Sequence, residues 1–144
     1  MLSWRGGKEK KKKQMGKYED ALMTLESGGT EVDVRFTTLS ESQVKKLADA
    51  IGKSGKVTKL NASSCGITDS GATALAQGIA QCPQLQTLEL SDNAISDFGA
   101  TALAQGIAKC PHLQELHLSD NLISDSGATT LAQGIAKCPQ LQTL

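Results

Sequence analysis

The sequence predicts an α/β solenoid, in which one strand–helix unit is stacked on copies of itself. Three observations carry that prediction. Ile67, Ile95 and Ile123 mark one point in three copies of a 28-residue unit, and a fixed period of roughly 20–50 residues is the mark of a stacked array. Each copy joins a short apolar-patterned run to a segment with helical spacing, and parallel neighbours need a crossover that a helix supplies. Aromatic residues make up only 3% of the 144 residues while Ala, Leu and Gly abound, which suits an array packed by small aliphatic side chains.

Residues 1–17 read as a disordered basic arm. They carry seven Lys or Arg against one Glu, net +6, and the remaining 127 residues are net −6. The Lys10–Lys13 block shows no hydrophobic period, and its like charges repel. The repeat domain is expected over 18–144, with an N-terminal cap over about 18–36. Tyr18, Ala21, Leu22 and Leu25 fall at helical spacing, and Ser27-Gly28-Gly29 stops that helix. Glu31 to Phe36 alternates as a strand does. Ser40-Glu41-Ser42-Gln43 starts the next helix, with Val44, Leu47, Ala48 and Ile51 on its apolar face, and Gly52 to Gly55 ends it.

The array then becomes regular. Val57-x-x-Leu60-x-Ala62-x-x-Cys65 aligns with Leu85-x-x-Leu88-x-Leu90-x-x-Asn93 and with Leu113-x-x-Leu116-x-Leu118-x-x-Asn121. A helix is expected after each strand. In the central unit it runs from about Phe98 to Lys109, with Ser96 or Asp97 as N-cap, and Cys110-Pro111 closes it. Leu88 and Leu90 are two apart and so face the same way, toward the core. Leu103 and Ile107 are four apart and face back onto them. Gly99 and Gly106 are placed on that same inner face, and Ala100, Ala104 and Ala108 on the flank toward the neighbouring helices. The frame reaches Leu141 and Leu144, where the chain stops inside a strand. Further repeats or a partner are expected to cover that open edge.

The pattern Leu-x-x-Leu-x-Leu-x-x-Asn followed by Ile-x-x-x-Gly-x-x-x-Leu-x-x-x-Ile resembles the ribonuclease-inhibitor class of leucine-rich repeats, over about residues 30–144. The resemblance implies a curved horseshoe segment, with parallel strands on the concave face and helices on the convex face. Asn93 and Asn121 stand at the bend after their strands, where an amide can bond backbone groups that have left the ladder. Cys65 holds that place in its own repeat.

No catalytic constellation is legible. Cys82, Cys110 and Cys138 recur every 28 residues and read as buried thiols at helix ends. There is no CxxC and no His at ligand spacing, so no metal or cofactor is expected. Free cysteines fit a reducing compartment, no apolar run approaches the ~18–20 residues of a membrane span, and a cytoplasmic location is expected. His112 reads as a loop residue. His117 lies two after Glu115 and shares its face, with no nucleophile placed to pair with it. Asp69, Asp97 and Asp125 start successive helices and are read as satisfying the free amides and dipole there.

The informative positions lie between the core residues of each strand. One column is Glu31, Lys59, Thr87, Glu115 and Thr143. The next is Asp33, Asn61, Glu89 and His117, and a third is Arg35, Ser63, Ser91 and Ser119. Ser64, Asp92 and Asp120 follow. Residues 71–88 and 127–144 differ only at Ala74/Thr130 and Gln81/Lys137, whereas the first two columns change character at each step. A copied scaffold with a varied face points to protein binding there, through Lys59, Asn61, Thr87, Glu89, Ser91, Asp92, Glu115, His117, Ser119 and Asp120. The expected function is a non-enzymatic interaction or scaffold module within a larger assembly. One alternative is a ribonucleoprotein or cytoskeletal component anchored through Lys8, Lys10, Lys11, Lys12 and Lys13 to RNA or another anionic surface. Another is a regulator of a small GTPase, a role found in this repeat class.

Overall fold

The computed structural model describes residues 15–144. The basic arm at Lys8 and Lys10–Lys13 lies outside the described residues. Five helices alternate with four strands in chain order: α1 (Lys17–Glu26), β1 (Glu31–Asp33), α2 (Glu41–Ser54), β2 (Lys59–Asn61), α3 (Asp69–Ile79), β3 (Thr87–Glu89), α4 (Asp97–Ile107), β4 (Glu115–His117) and α5 (Asp125–Ile135). The sheet is parallel throughout, in the order β1-β2-β3-β4. The fold is thus the α/β solenoid, with strands lining the concave face and helices the convex one. None of the described helices is long and apolar enough to cross a membrane.

The 28-residue frame is the sheet register. Val32, Leu60, Leu88 and Leu116 pair in one row across the four strands. The extended chain beyond each strand keeps pairing, as in the bonds from Leu90 N to His117 O and from Asp92 N to Ser119 O. Thr143 adds one more rung through its bridge to Glu115. Between sheet and helices Leu60, Leu88, Leu90, Leu75, Leu103, Ile79 and Ile107 are fully buried. Lys17, placed in the arm by its charge, is the first residue of α1, and its Nζ donates to Arg35 O. Tyr18, Ala21 and Leu25 bury the inner face of this helix.

Helix α2 carries a full capping box. The Ser40 side chain accepts from Gln43 N, and the Gln43 side chain accepts from Ser40 N, which satisfies two donors that no helical carbonyl reaches. Gly55, in the left-handed conformation at φ 65°, ends it, whereas Gly52 lies inside the helix.

The glycines do different work from that expected. A Cβ on Gly106 would stand 2.6 Å from Ala76 O, on Gly134 2.5 Å from Ala104 O, and on Gly78 2.5 Å from Ala48 O. These glycines face the helix of the preceding repeat and not the strand behind them. One helix offers a bare backbone at Gly, and its predecessor offers Ala on the facing turn. The inner-face assignment of Gly106 is corrected accordingly.

Candidate functional site

The concave surface is built by side chains that alternate with the buried leucines. Because β-strand side chains alternate in direction, Glu31, Lys59, Thr87 and Glu115 form one row, and Asp33, Asn61, Glu89 and His117 form the next. Both columns read from the sequence are present, with Ser91 and Ser119 in the third, where Ser119 Oγ donates to Ser91 Oγ at 3.2 Å.

Charge is sorted along this face. Arg35 pairs with Asp33 at 3.2 Å, and Lys59 reaches Glu31 at 3.9 Å, so the cations of the sheet are engaged at its N-terminal end. Toward the C-terminal end Glu89, Glu115 and His117 converge. One ligand atom from each lies within 4.8 Å of the others, and all three residues are half-buried. The His117 Nε2 to Glu115 Oε2 distance is 3.5 Å. Asn61 Nδ2 donates to Glu89 Oε2 at 2.8 Å, while Asn61 Oδ1 accepts from Ser63 N at 3.1 Å. This is the set among the described residues that could hold a metal ion. Sequence spacing hid it, because Glu89 and Glu115 are 26 apart and meet only through the parallel register.

Asp92 and Asp120, expected on the binding surface, sit at the strand exits with φ of 56° and 55°, where Ser64 and Phe36 also adopt positive φ. Asp is among the few side chains that tolerate that region, so the bend gives a local reason for these two carboxylates. Asp92 Oδ2 also accepts from Ser64 Oγ at 2.7 Å.

The asparagine ladder behaves as its position suggests. Asn93 Oδ1 accepts from Cys65 N and Ile67 N at 3.1 and 2.9 Å, and Nδ2 donates to Ala62, Leu90 and Ser91 carbonyls. Asn121 repeats the pattern against Ile95 N and Leu90 O. At the Asn place of its own repeat Cys65 substitutes a thiol that donates to Val34 O and Ser63 O. Cys82, Cys110 and Cys138 form a buried column of free thiols. Each Sγ caps carbonyls of its own helix and of the previous repeat, as Cys110 does with Gly106 and Ile79. Burial, reinforced by the neighbouring Cys138 and Cys82, pushes the Cys110 thiol up to about 12, which keeps it protonated and unreactive.

The aspartates at the helix starts require a correction. Among the described residues, the Asp69 and Asp97 carboxylates bond the following repeat and not the free amides of their own helices. Asp69 accepts from Ser96 N at 2.7 Å, from Ser96 Oγ and from Gly99 N at 3.1 Å, all in the following repeat. Asp97 accepts from Ser124 N at 2.8 Å and from Ser124 Oγ. Ser96 and Ser124 hold the N-cap position but make no side-chain bond to their own helices. Their hydroxyls point back to the preceding repeat. Partial burial favours the neutral form of Asp69, but the Ser96 hydroxyl, the Ser96 amide and the Gly99 amide outweigh it and hold its carboxyl below the usual range. The Ser124 hydroxyl and amide do the same for Asp97.

Of the three exposed large apolar side chains where a strand passes into its helix, Phe36, Phe98 and Leu122, two belong to the later repeats: Phe98, 83% exposed, and Leu122, 67% exposed. Leu122 bridges to Ser96, two residues before Phe98. Sequence reading passed over both. The available signal was departure from the repeat, since Ser70 and Ser126 stand where Phe98 does, and Gly66 and Ala94 where Leu122 does. On the opposite, helical face a groove of about 750 Å³ opens between α2 and α3, lined by Lys45, Asp49, Lys53, Gln77 and Gln81. It shares no residue with the sheet columns.

Comparison with known proteins bears on the fold. Residues 83–133 match the family model for leucine-rich repeats in two copies, and residues 53–76 match a second model for a leucine-rich repeat. No curated protein matches the sequence. Among solved structures, leiomodin-1 actin-binding site 2 superposes with a TM-score of 0.74 at 16% identity, covering 88% of this chain and 77% of that one. A tropomodulin C-terminal domain from Caenorhabditis elegans superposes with a TM-score of 0.76 at 17% identity, covering 88% and 80%. The parallel one-residue-in-two ladder, the Asn bends and both repeat matches lead to one conclusion: the chain belongs to the leucine-rich repeat family.

Proposed function

We propose that this protein is a non-enzymatic interaction module that takes a protein partner on its concave face, and that the partner is actin or an actin-bound assembly. The observation that carries the first part is the contrast between scaffold and surface. Core and helix positions recur from repeat to repeat, while the rows Glu31–Lys59–Thr87–Glu115 and Asp33–Asn61–Glu89–His117 change at every strand. Stability accounts for the first set and makes no demand on the second. The face is polar and poor in Tyr, Trp and Arg, which fits moderate affinity. Exposed Phe98 and Leu122 at its edge offer the apolar contact that the sheet lacks.

Actin is favoured as partner because one of the similar structures is an actin-binding site, and a cytoskeletal role was already one of the readings open to the sequence. The ribonuclease-inhibitor subclass and a scaffold role within a larger complex belong to the same proposal. The test is sedimentation with filamentous actin and titration of monomeric actin, for the intact protein and two variants. One carries Glu89→Lys with Glu115→Lys; the other carries Phe98→Ser with Leu122→Ala, which restores residues found at those places in other repeats. Weakened binding in either variant supports the proposal. Absence of binding to both forms of actin removes actin, and binding unchanged in both variants removes this surface.

A further inference from the structure

We propose that Glu89, Glu115 and His117 form a site for a divalent transition-metal cation of the zinc class on the concave face. The geometry is the first argument. Zinc held at about 2.0–2.2 Å by tetrahedral N and O ligands places those ligands roughly 3.3–3.5 Å apart. His117 Nε2 and Glu115 Oε2 already stand 3.5 Å apart, the length of one such edge. The three ligand atoms lie within 4.8 Å of one another, so closing the remaining edges requires side-chain movements of about 1.5 Å or less. The backbone need not move. Glu89 pairs directly with His117, and Glu115 with Thr87, in the register of β3 and β4.

Electrostatics is the second argument. Two carboxylates face one another here, and a cation seated between them would attract both. The sheet's Arg35 and Lys59 are at its other end, against Asp33 and Glu31. Among the described residues, no Lys or Arg pairs with these two carboxylates, and His117 Nε2 is the nitrogen within 4 Å of Glu115. The third argument is orientation. Ser63 N fixes the Asn61 amide, and the Asn61 amide holds Glu89 Oε2; among the described residues the other Glu89 oxygen accepts no hydrogen bond. Metal-ligating carboxylates are commonly held this way by a hydrogen-bonding neighbour.

Imidazole together with carboxylates selects a borderline cation such as zinc over calcium or magnesium, which take oxygen shells. Three protein ligands leave the fourth position open toward the concave surface, where water or a side chain of a bound protein completes it. The site stands whether or not actin is the partner. A plain Glu115–His117 hydrogen bond is the competing explanation of the 3.5 Å contact, and it makes no use of Glu89.

The test is calorimetric titration of the metal-stripped full chain with zinc chloride, with cobalt(II) absorption as a second readout. One equivalent should bind. His117→Ala, Glu115→Gln and Glu89→Gln should each weaken binding by about tenfold or more, and Asn61→Ala by up to about tenfold. His112→Ala should leave it unchanged, and the cobalt complex should lack a thiolate charge-transfer band. Circular dichroism checks that each variant folds, which these solvent-facing positions should permit. Absence of saturable zinc binding, equal affinity in the His117→Ala or Glu89→Gln variants, or a thiolate band would each overturn the proposal.

Discussion

Replacing Asp69 by alanine tests the way one repeat holds the next. In the folded chain the carboxylate receives the Ser96 amide, the Ser96 hydroxyl and the Gly99 amide. These are donors at the start of α4, which have no partner within their own helix. Removing an N-terminal cap costs about 1–2 kcal/mol, and charge-assisted bonds lie in the upper part of that range. For a chain of this length the loss lowers Tm by roughly 3–8 °C. Asp125 is the internal control. It occupies the same place in its repeat, but among the described residues its carboxylate makes none of these bonds. Asp125→Ala therefore loses only an interaction with the helix dipole and should lower Tm by no more than about 2 °C. Thermal and urea unfolding of both variants measures the difference. A double-mutant cycle with Ser96→Ala should return a coupling of about 1 kcal/mol. If each Asp served its own helix, as position alone suggests, the two replacements would cost the same. Equal losses, or zero coupling to Ser96, would refute inter-repeat capping.

The same bonds make stability depend on pH with a defined sign. The carboxyls of Asp69 and Asp97 are held lower in the folded chain than when unfolded, so their contribution is complete above the unfolded value of about 3.9 and is lost as pH falls through the folded values. Urea midpoints measured from pH 6 to pH 2.5 should fall less for Asp69→Asn with Asp97→Asn than for the parent. Asn93→Ala leaves Cys65 N, Ile67 N and several carbonyls without their partner at a half-buried bend, and should cost about 2–4 kcal/mol by urea unfolding. Gly106→Ala forces a methyl to 2.6 Å from Ala76 O, and overpacking of about 1–3 kcal/mol should outweigh the gain in helix propensity. Enhanced stability of that variant would show that α3 and α4 can separate without loss.

How the chain folds was largely legible in its residues, because burial repeats with the backbone period. Leu88 and Leu90 alternate as a strand does, Leu103 and Ile107 recur as a helix does, and a constant 28 between copies leaves one way to stack them. Ser40 and Gln43 announce a helix start within four residues, since both halves of a capping box are local. The Asn bends were also readable, for an amide is the short side chain able to bond both an amide and a carbonyl of the adjoining backbone.

Contacts between repeats were decided by the tertiary structure. Asp69 and Ser96 are 27 residues apart, and nothing in a linear reading tells a carboxylate whether to serve its own helix or the next. That choice depends on the offset between neighbouring helices, which brings Ser96 and Gly99 within hydrogen-bonding reach of Asp69 Oδ1. The same offset presses Gly106 onto the backbone of Ala76 and not onto a strand. At the concave face the sequence placed Glu89, Glu115 and His117 on one surface and in the right columns. The parallel register, together with the Asn61 bond that holds Glu89, then drew their ligand atoms within 4.8 Å of one another.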